Sequence, residues 1–520
     1  MKFIFFATLV VVSCISCVQP KKTDATAYYK NPVITGDFPD PSVIRVGNTY
    51  YAAGTTSDFG PNYALYESTD LVNWKQIGFI FKECPEWAGG SFWAPELYYN
   101  KGTFFVYYTA KRKSDSVSCI GVATTTDIHN GFQDQGILIE WGNEAIDAFV
   151  FKDDDGKFYM SWKAYGLTEG RPIEILCSEL SADGLHLVGE HFTLTDFSKG
   201  WNGAGDEGQC LVKRGDYYYL LYSVGGCCDN QCTYQVMVSR SKNLQTGWEQ
   251  KSEPILKGGE QWLCTGHGTL VSTPDGRDFY MYHSYNATDF EYIGRQGMLD
   301  EIVWDEQTNW PRLKSGNTPS EKAPVPFENT IQKRDTMLVD DFTGDESVFF
   351  WQWDLKVSKP LVTRNDGELL MEPTANGISF WGISPKVGNY SLKAEITNES
   401  AVEQGICIYG NQQNLLAFGK NAEGLVLFQI ENGMRTNLAT IPNTPTASVN
   451  LKFDVVHGRF FQFFWADDDE NWRPVKVADE YTVDGQFLPQ WGVAMRSGLY
   501  VDGGKLEVAK FSNLNVRFKF

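Results

Sequence analysis

The sequence predicts an all-β chain, a five-bladed β-propeller followed by an antiparallel β-sandwich. Three observations carry this expectation. An apolar strand, a Gly-containing turn and an aromatic-rich strand recur five times between Ser42 and Ser284. Nothing in that region repeats its apolar residues at the helical period. Beyond Met337, short alternating strands are separated by turns such as ENG, HG and DGG.

The five repeats read SVIRVGNTYYAAG, ELYYNKGTFFVYYT, FVFKDDDGKFYMSW, CLVKRGDYYYLLYS and LVSTPDGRDFYMYHS. Gly47, Gly102, Gly156, Gly215 and Gly276 sit in their turns, so each repeat is a hairpin. A third strand of small and polar residues follows, as in YALYEST, SCIGVATT, IEILCSE and YQVMVSRS, and Trp74 or Trp248 closes several units. A period of roughly fifty to sixty residues fits propeller blades; a solenoid repeat is shorter and a sandwich does not repeat at this length. The expected propeller domain covers residues 28–318, a polar, Pro-containing linker 319–336, and the sandwich 337–520. In the sandwich, Trp351, Trp353, Phe380 and Trp381 are read as core and interdomain packing in preference to ligand binding.

The N-terminus reads as a targeting segment. Lys2 precedes a short apolar run, Phe3 to Val12, too short to span a bilayer. Text resembling a bacterial lipobox ends at Cys17 or Cys14, so residues 1–17 are expected to be a lipoprotein signal and 18–27 a tether. The expected location is periplasmic or cell-surface, with the membrane reached only through the lipid. Nine cysteines remain after the signal, an odd number without a C-x-x-C pair, so at least one stays free and a structural zinc site is not expected. Cys227 and Cys228 are adjacent; a disulfide between neighbours is strained, and free thiols are the simpler expectation. A net charge of −20 argues against nucleic acid as a partner. Nothing in the sequence sets the oligomeric state.

Aligning the residue that opens the first strand of each unit gives Asp40, Trp93, Asp147, Glu207 and His267. Innermost strands of a propeller line its axis, so these five should form one ring at a channel mouth. Three carboxylates facing an enclosed channel cost stability unless they serve a purpose. Glycosidic cleavage needs an acid for the leaving oxygen and a carboxylate to direct attack. A third carboxylate can raise the acid's pKa by like-charge repulsion, and an indole offers a sugar a flat face.

Residues 31 to about 313 resemble glycoside hydrolase family 43, which includes β-xylosidases, α-L-arabinofuranosidases and arabinanases. NPVITGDFPDPSVIRVGNTYYA is similar to the family's first signature, IDAFVFKDDDGKFYMSW to the second and DEGQCLVKRGDYYYLLYS to the third. The resemblance implies Asp40 as general base, Asp147 as pKa modulator and orienting group, and Glu207 as general acid. It further implies Trp93 as a sugar-stacking wall, Arg295 as a substrate hydrogen-bonder, and His267 of GHGTLV near a calcium ion held through water. No cofactor is required on this reading, and a structural Ca²⁺ is the one metal it suggests. The sandwich resembles the lectin-like, jelly-roll domain attached to family members. EGQC stands where many β-xylosidases of the family have EGPH, and GGCCDNQC looks more like arabinan- or arabinose-acting relatives. Cys227 and Cys228 thereby join the expected substrate contacts. The resulting expectation is an inverting, exo-acting hydrolase releasing arabinofuranosyl, or else xylosyl, units from plant polysaccharides. Alternatives are an endo-arabinanase, an exo-galactanase or a non-catalytic surface glycan-binding propeller.

Overall fold

The computed structural model describes residues 27–520 except 141–143, 169–170, 196–205, 345–349, 375–376, 398–401, 443–447, 469–470 and 504–506. The expected signal and tether, apart from Ala27, lie outside the described residues.

Five antiparallel sheets follow one another along the chain. Their inner strands are Ser42–Val46, Ala88–Asn100, Glu144–Lys152, Glu207–Arg214 and Trp262–Ser272. Each inner strand packs against the next, and the fifth packs against the first, so the sheets close into a ring. These are the blades of the propeller. All five expected turn glycines have positive φ, between 57° and 91°, a region glycine enters without a Cβ penalty.

The N-terminal segment ties blade one to blade five. The Asn31 side chain donates to the Leu299 carbonyl and accepts its N–H, both at 3.0 Å. Tyr29 Oη donates to the same carbonyl at 2.7 Å, and Ile34 bridges Gly297. Each of these buried polar groups is satisfied by the other end of the domain, which is the condition for burying them.

The C-terminal region forms two antiparallel sheets, of nine and six strands among the described residues. Alternating residues of strands such as Tyr390–Ile396 and Val449–Val456 point between them, and Leu392, Ile408, Leu451, Phe453, Phe511 and Val516 fill the core. The sandwich leans on the propeller. Trp353–Asp354 pairs with Phe59–Gly60 of blade one. Trp353 stacks on Trp381, and a Cβ on Gly60 would lie 2.9 Å from the Trp353 ring. The aromatic cluster is therefore packing, as expected. Buried Arg496 donates to Gln352 at 2.6 Å and to Asp37 of the propeller at 3.2 Å.

Candidate active site

The ring residues sit at irregularities of the inner strands. Two residues of the inner strand oppose one of its partner between Trp93 and Glu96, Ile146 and Phe149, Glu207 and Cys210, and Gly266 and Thr269. Such bulges re-aim side chains. Left-handed backbone accompanies them, at Ala94 (φ 42°), Asp147 (φ 58°), Gly208 (φ 57°) and His267 (φ 42°); Asp40, just ahead of its strand, has φ 52°. Non-glycine residues in this region mark local strain held by the surrounding structure.

What holds it is a cycle of contacts from each blade to the next. Thr55, at the end of the second strand of blade one, accepts the Ala94 N–H beside Trp93 at 2.8 Å. Thr109 accepts the Asp147 N–H at 3.1 Å. Lys163 donates to Glu207 Oε2 at 2.5 Å. Ser223 accepts the His267 N–H at 2.8 Å. His283 Nδ1 accepts the Asp40 N–H at 3.1 Å and closes the cycle. Each of the five follows its blade's turn glycine by seven or eight positions. Aligning second strands as the first strands were aligned would have found them; Lys163 in MSWKAY and His283 in MYHSY are polar breaks in aromatic strands.

Asp40, Asp147, Glu207 and His267 converge. His267 Nδ1 lies 3.4 Å from Asp40 Oδ1 and 3.9 Å from Asp147 Oδ2. Gly208 N–H donates to Asp147 Oδ2 at 3.1 Å, and a Cβ on Gly208 would meet the His267 ring at 2.6 Å, so glycine is required beside Glu207. Arg295 Nη1 binds Asp40 Oδ1 at 2.9 Å, and Thr55 donates to Asp40 Oδ2 at 2.7 Å. Trp93 is half-buried at the same ring, with Lys111 over its indole.

The three carboxyls differ in charge state. Burial favours the neutral form of Asp40, but the Arg295 guanidinium and His267 overrule it and hold the group well below the ordinary carboxylate range. Burial pushes Asp147 up to about 6; His267 and Lys163 oppose this, while Glu207 and Asp40 add to it. Burial would also raise Glu207, yet Lys163 and the Tyr234 hydroxyl, which donates at 2.8 Å, hold it below its usual value. Beside the like-charge coupling of Asp147 and Glu207 thus stands a buried cation, Lys163, which the sequence reading did not include.

Cys227 and Cys228 form a disulfide, as do Cys232 and Cys264. The simpler expectation of free thiols therefore gives way to a bond between neighbours. Cys227 is half-buried with its sulfur 3.9 Å from Arg295 Nη1. Cys228 is buried, and its carbonyl accepts the N–H of Gly492 from the sandwich at 3.1 Å. Of the two, Cys227 is the more exposed, and its sulfur is the one beside Arg295. Arg295 Nη2 reaches the Gly492 carbonyl at 3.5 Å, and the neighbouring Trp491 is 62% exposed.

Among the described residues, no three His, Cys, Asp or Glu side chains gather to hold a metal ion. His267 directs Nδ1 at two carboxylates, and the ring lacks the oxygen cage that directly bound calcium takes.

The family model described as glycosyl hydrolases family 43 matches residues 29–311. An extracellular exo-α-(1→5)-L-arabinofuranosidase, ArbA, of Cellvibrio japonicus (strain Ueda107) is 31% identical over 310 residues, covering 53% of this chain and 86% of its own length. Xylosidase/arabinosidase 43B of Humicola insolens is 28% identical over 507 residues, covering 86% of this chain and 88% of its own. The crystal structure of xylan β-1,4-xylosidase from Bacillus halodurans C-125 superposes with a TM-score of 0.82 over 94% of this chain and all of that one, at 22% identity, a likeness of fold across both regions. With more than half of its length matched by one family, the chain belongs to glycosyl hydrolase family 43 and is a glycoside hydrolase.

Proposed function

We propose that the protein is an inverting, exo-acting glycosidase that removes arabinofuranosyl, or less readily xylosyl, units from plant cell-wall polysaccharides and oligosaccharides. The carrying observation is the division of charge across the ring. Asp40 is pinned in its ionised form by Arg295, while Asp147 and Glu207 form a coupled pair beside Lys163. Asp40 takes a proton from water as that water attacks the anomeric carbon. Glu207 gives a proton to the leaving oxygen, so the bond breaks to a free sugar and an alcohol. Asp147 and Glu207 titrate as a unit that shares a proton. Substrate binding, which excludes water and brings an ether oxygen to Glu207, draws that proton onto it.

Trp93 offers a stacking face and Arg295 a hydrogen bond to the sugar, with the Cys227 sulfur beside it. The sandwich supports exo action, because its Gly492 is bonded to both Arg295 and Cys228 and so stands against one side of the ring. The arabinofuranosyl preference rests on the GGCCDNQC loop and on the named activity of the Cellvibrio relative. Residues 28–318 act as the catalytic unit, 319–336 as its strap and 337–520 as the accessory domain. A lipid on Cys17 or Cys14 would hold the protein at the cell surface; membrane partition lost in Cys17→Ala or Cys14→Ala tests it. A calcium ion held through water near His267 is tested by chelation, which should lower stability or rate.

The deciding experiment compares a dinitrophenyl arabinofuranoside with an arabino-oligosaccharide. Glu207→Ala should spare the former and lose roughly a hundredfold to ten-thousandfold on the latter, while Asp40→Ala loses activity on both. NMR of the first-formed product should show inverted configuration. Retention, or an Asp40→Ala enzyme active on both substrates, overturns the assignment.

A further inference from the structure

Blade one and the sandwich enclose a cleft of about 530 Å³, within the roughly 300–1,000 Å³ typical of small-molecule sites. Its propeller wall comes from the outer strands of blade one, with Tyr66 and Phe79, and from Trp74 in the turn between them, while the catalytic ring belongs to the inner strands. Its floor is the buried Asp37–Arg496 pair, which neutralises itself. Lys386 from the sandwich lines the cleft without a hydrogen bond or ion pair among the described residues. A smaller pocket joins it through Lys386 and Asp335 and adds Lys333 and Arg334. The joined cleft thus sets Lys75, Lys333, Arg334, Lys386 and Arg496 against Asp37 and Asp335, five cations to two carboxylates, on a chain whose net charge is −20.

Among the described residues no carboxylate lies within ion-pair distance of Lys386; Asp335 acts on it from farther off, and burial still pushes the Lys386 pKa down, so an anionic ligand would stabilise this half-buried ammonium. Aromatic faces flanking such a cation suit a ring that is apolar on one face and anionic at its edge. We propose that this cleft is a second, non-catalytic site for a uronic acid residue of a polysaccharide chain, with the carboxylate at Lys386 and the sugar face against Trp74 or Tyr66. The substrate class rests on the plant-polysaccharide reading above; the binding itself does not depend on the catalytic assignment.

The test uses the full chain carrying Glu207→Gln, titrated calorimetrically at low salt with trigalacturonate and with a glucuronic-acid-bearing xylo-oligosaccharide. Arabinotriose, xylotriose and inorganic phosphate serve as controls. One acidic sugar should bind with a strength that Lys386→Gln weakens about tenfold and that salt reduces; which one binds tells pectic from xylan sources. Lys75→Gln, at an exposed position, should weaken binding in the same direction and guards against misfolding at Lys386. With Glu207 restored, Lys386→Gln should hydrolyse an aryl glycoside at the wild-type rate. Equal binding of neutral trimers, a match by phosphate alone, or binding indifferent to both lysine variants overturns the proposal. A protein that binds the acidic sugar yet cleaves no aryl glycoside would overturn the catalytic reading and leave this one standing.

Discussion

His283 Nδ1 accepts the backbone N–H of Asp40 at 3.1 Å, joining the fifth blade to the first at the residue whose backbone is left-handed. An N–H needs a lone pair, so Nδ1 is unprotonated and the neutral ring carries its proton on Nε2. Burial pushes the His283 pKa down to about 4, in keeping with that state. His283→Phe would keep a ring against Tyr234, on which His283 stacks with 2° between planes, while leaving a buried N–H unpaired. A lost buried partner costs about 1–3 kcal/mol, so kcat should fall roughly tenfold or more with KM little changed. A kcat within twofold of wild type would remove His283 from the positioning of Asp40.

The same histidine makes stability depend on pH. Its pKa is lowered on folding, so its contribution is present above about pH 6.5 and is lost as pH falls toward 4. The shift corresponds to about 3 kcal/mol. Asp147 runs the other way. Burial raises its pKa from 3.8 to about 6, so its contribution is complete below about pH 4 and is lost as pH rises through 6. Asp147→Asn should therefore gain melting temperature relative to wild type between pH 4 and pH 8. A constant difference across that range would show that Asp147 titrates alike in folded and unfolded chains.

Lys163 is buried and bonded to Glu207. Lys163→Met removes the cation that lowers the Glu207 pKa, leaving burial to raise it. Glu207 then keeps its proton to higher pH, and the basic limb of kcat/KM should move upward by about one unit or more. An unmoved limb would mean that another group sets it.

Trp491 stands at the sandwich turn whose Gly492 binds Arg295 and Cys228. At 62% exposed it contributes little to folding. Trp491→Ala should leave the melting temperature unchanged and raise KM for oligosaccharides about fivefold to tenfold, the loss of one aromatic contact of about 1 kcal/mol. Unchanged KM would separate the sandwich from substrate binding.

The sequence by itself determined the five hairpins, the sandwich and the ring of Asp40, Trp93, Asp147, Glu207 and His267. Those features are local: a turn glycine, a strand period of two and a repeated flank each leave a mark within a dozen residues. The tertiary structure decided the charge states. Lys163 meets Glu207 across 44 positions and Arg295 meets Asp40 across 255, and only closure of the ring brings such groups into one dry site, where Coulomb interactions outweigh ordinary pKa values. The bonds from Gly492 to Cys228 and Arg295 are likewise set by how two domains pack. The pairing of Cys227 with Cys228, left open by their adjacency in sequence, was also decided by the fold. Periodicity reports which way a side chain faces, whereas its proton affinity depends on everything the fold places around it.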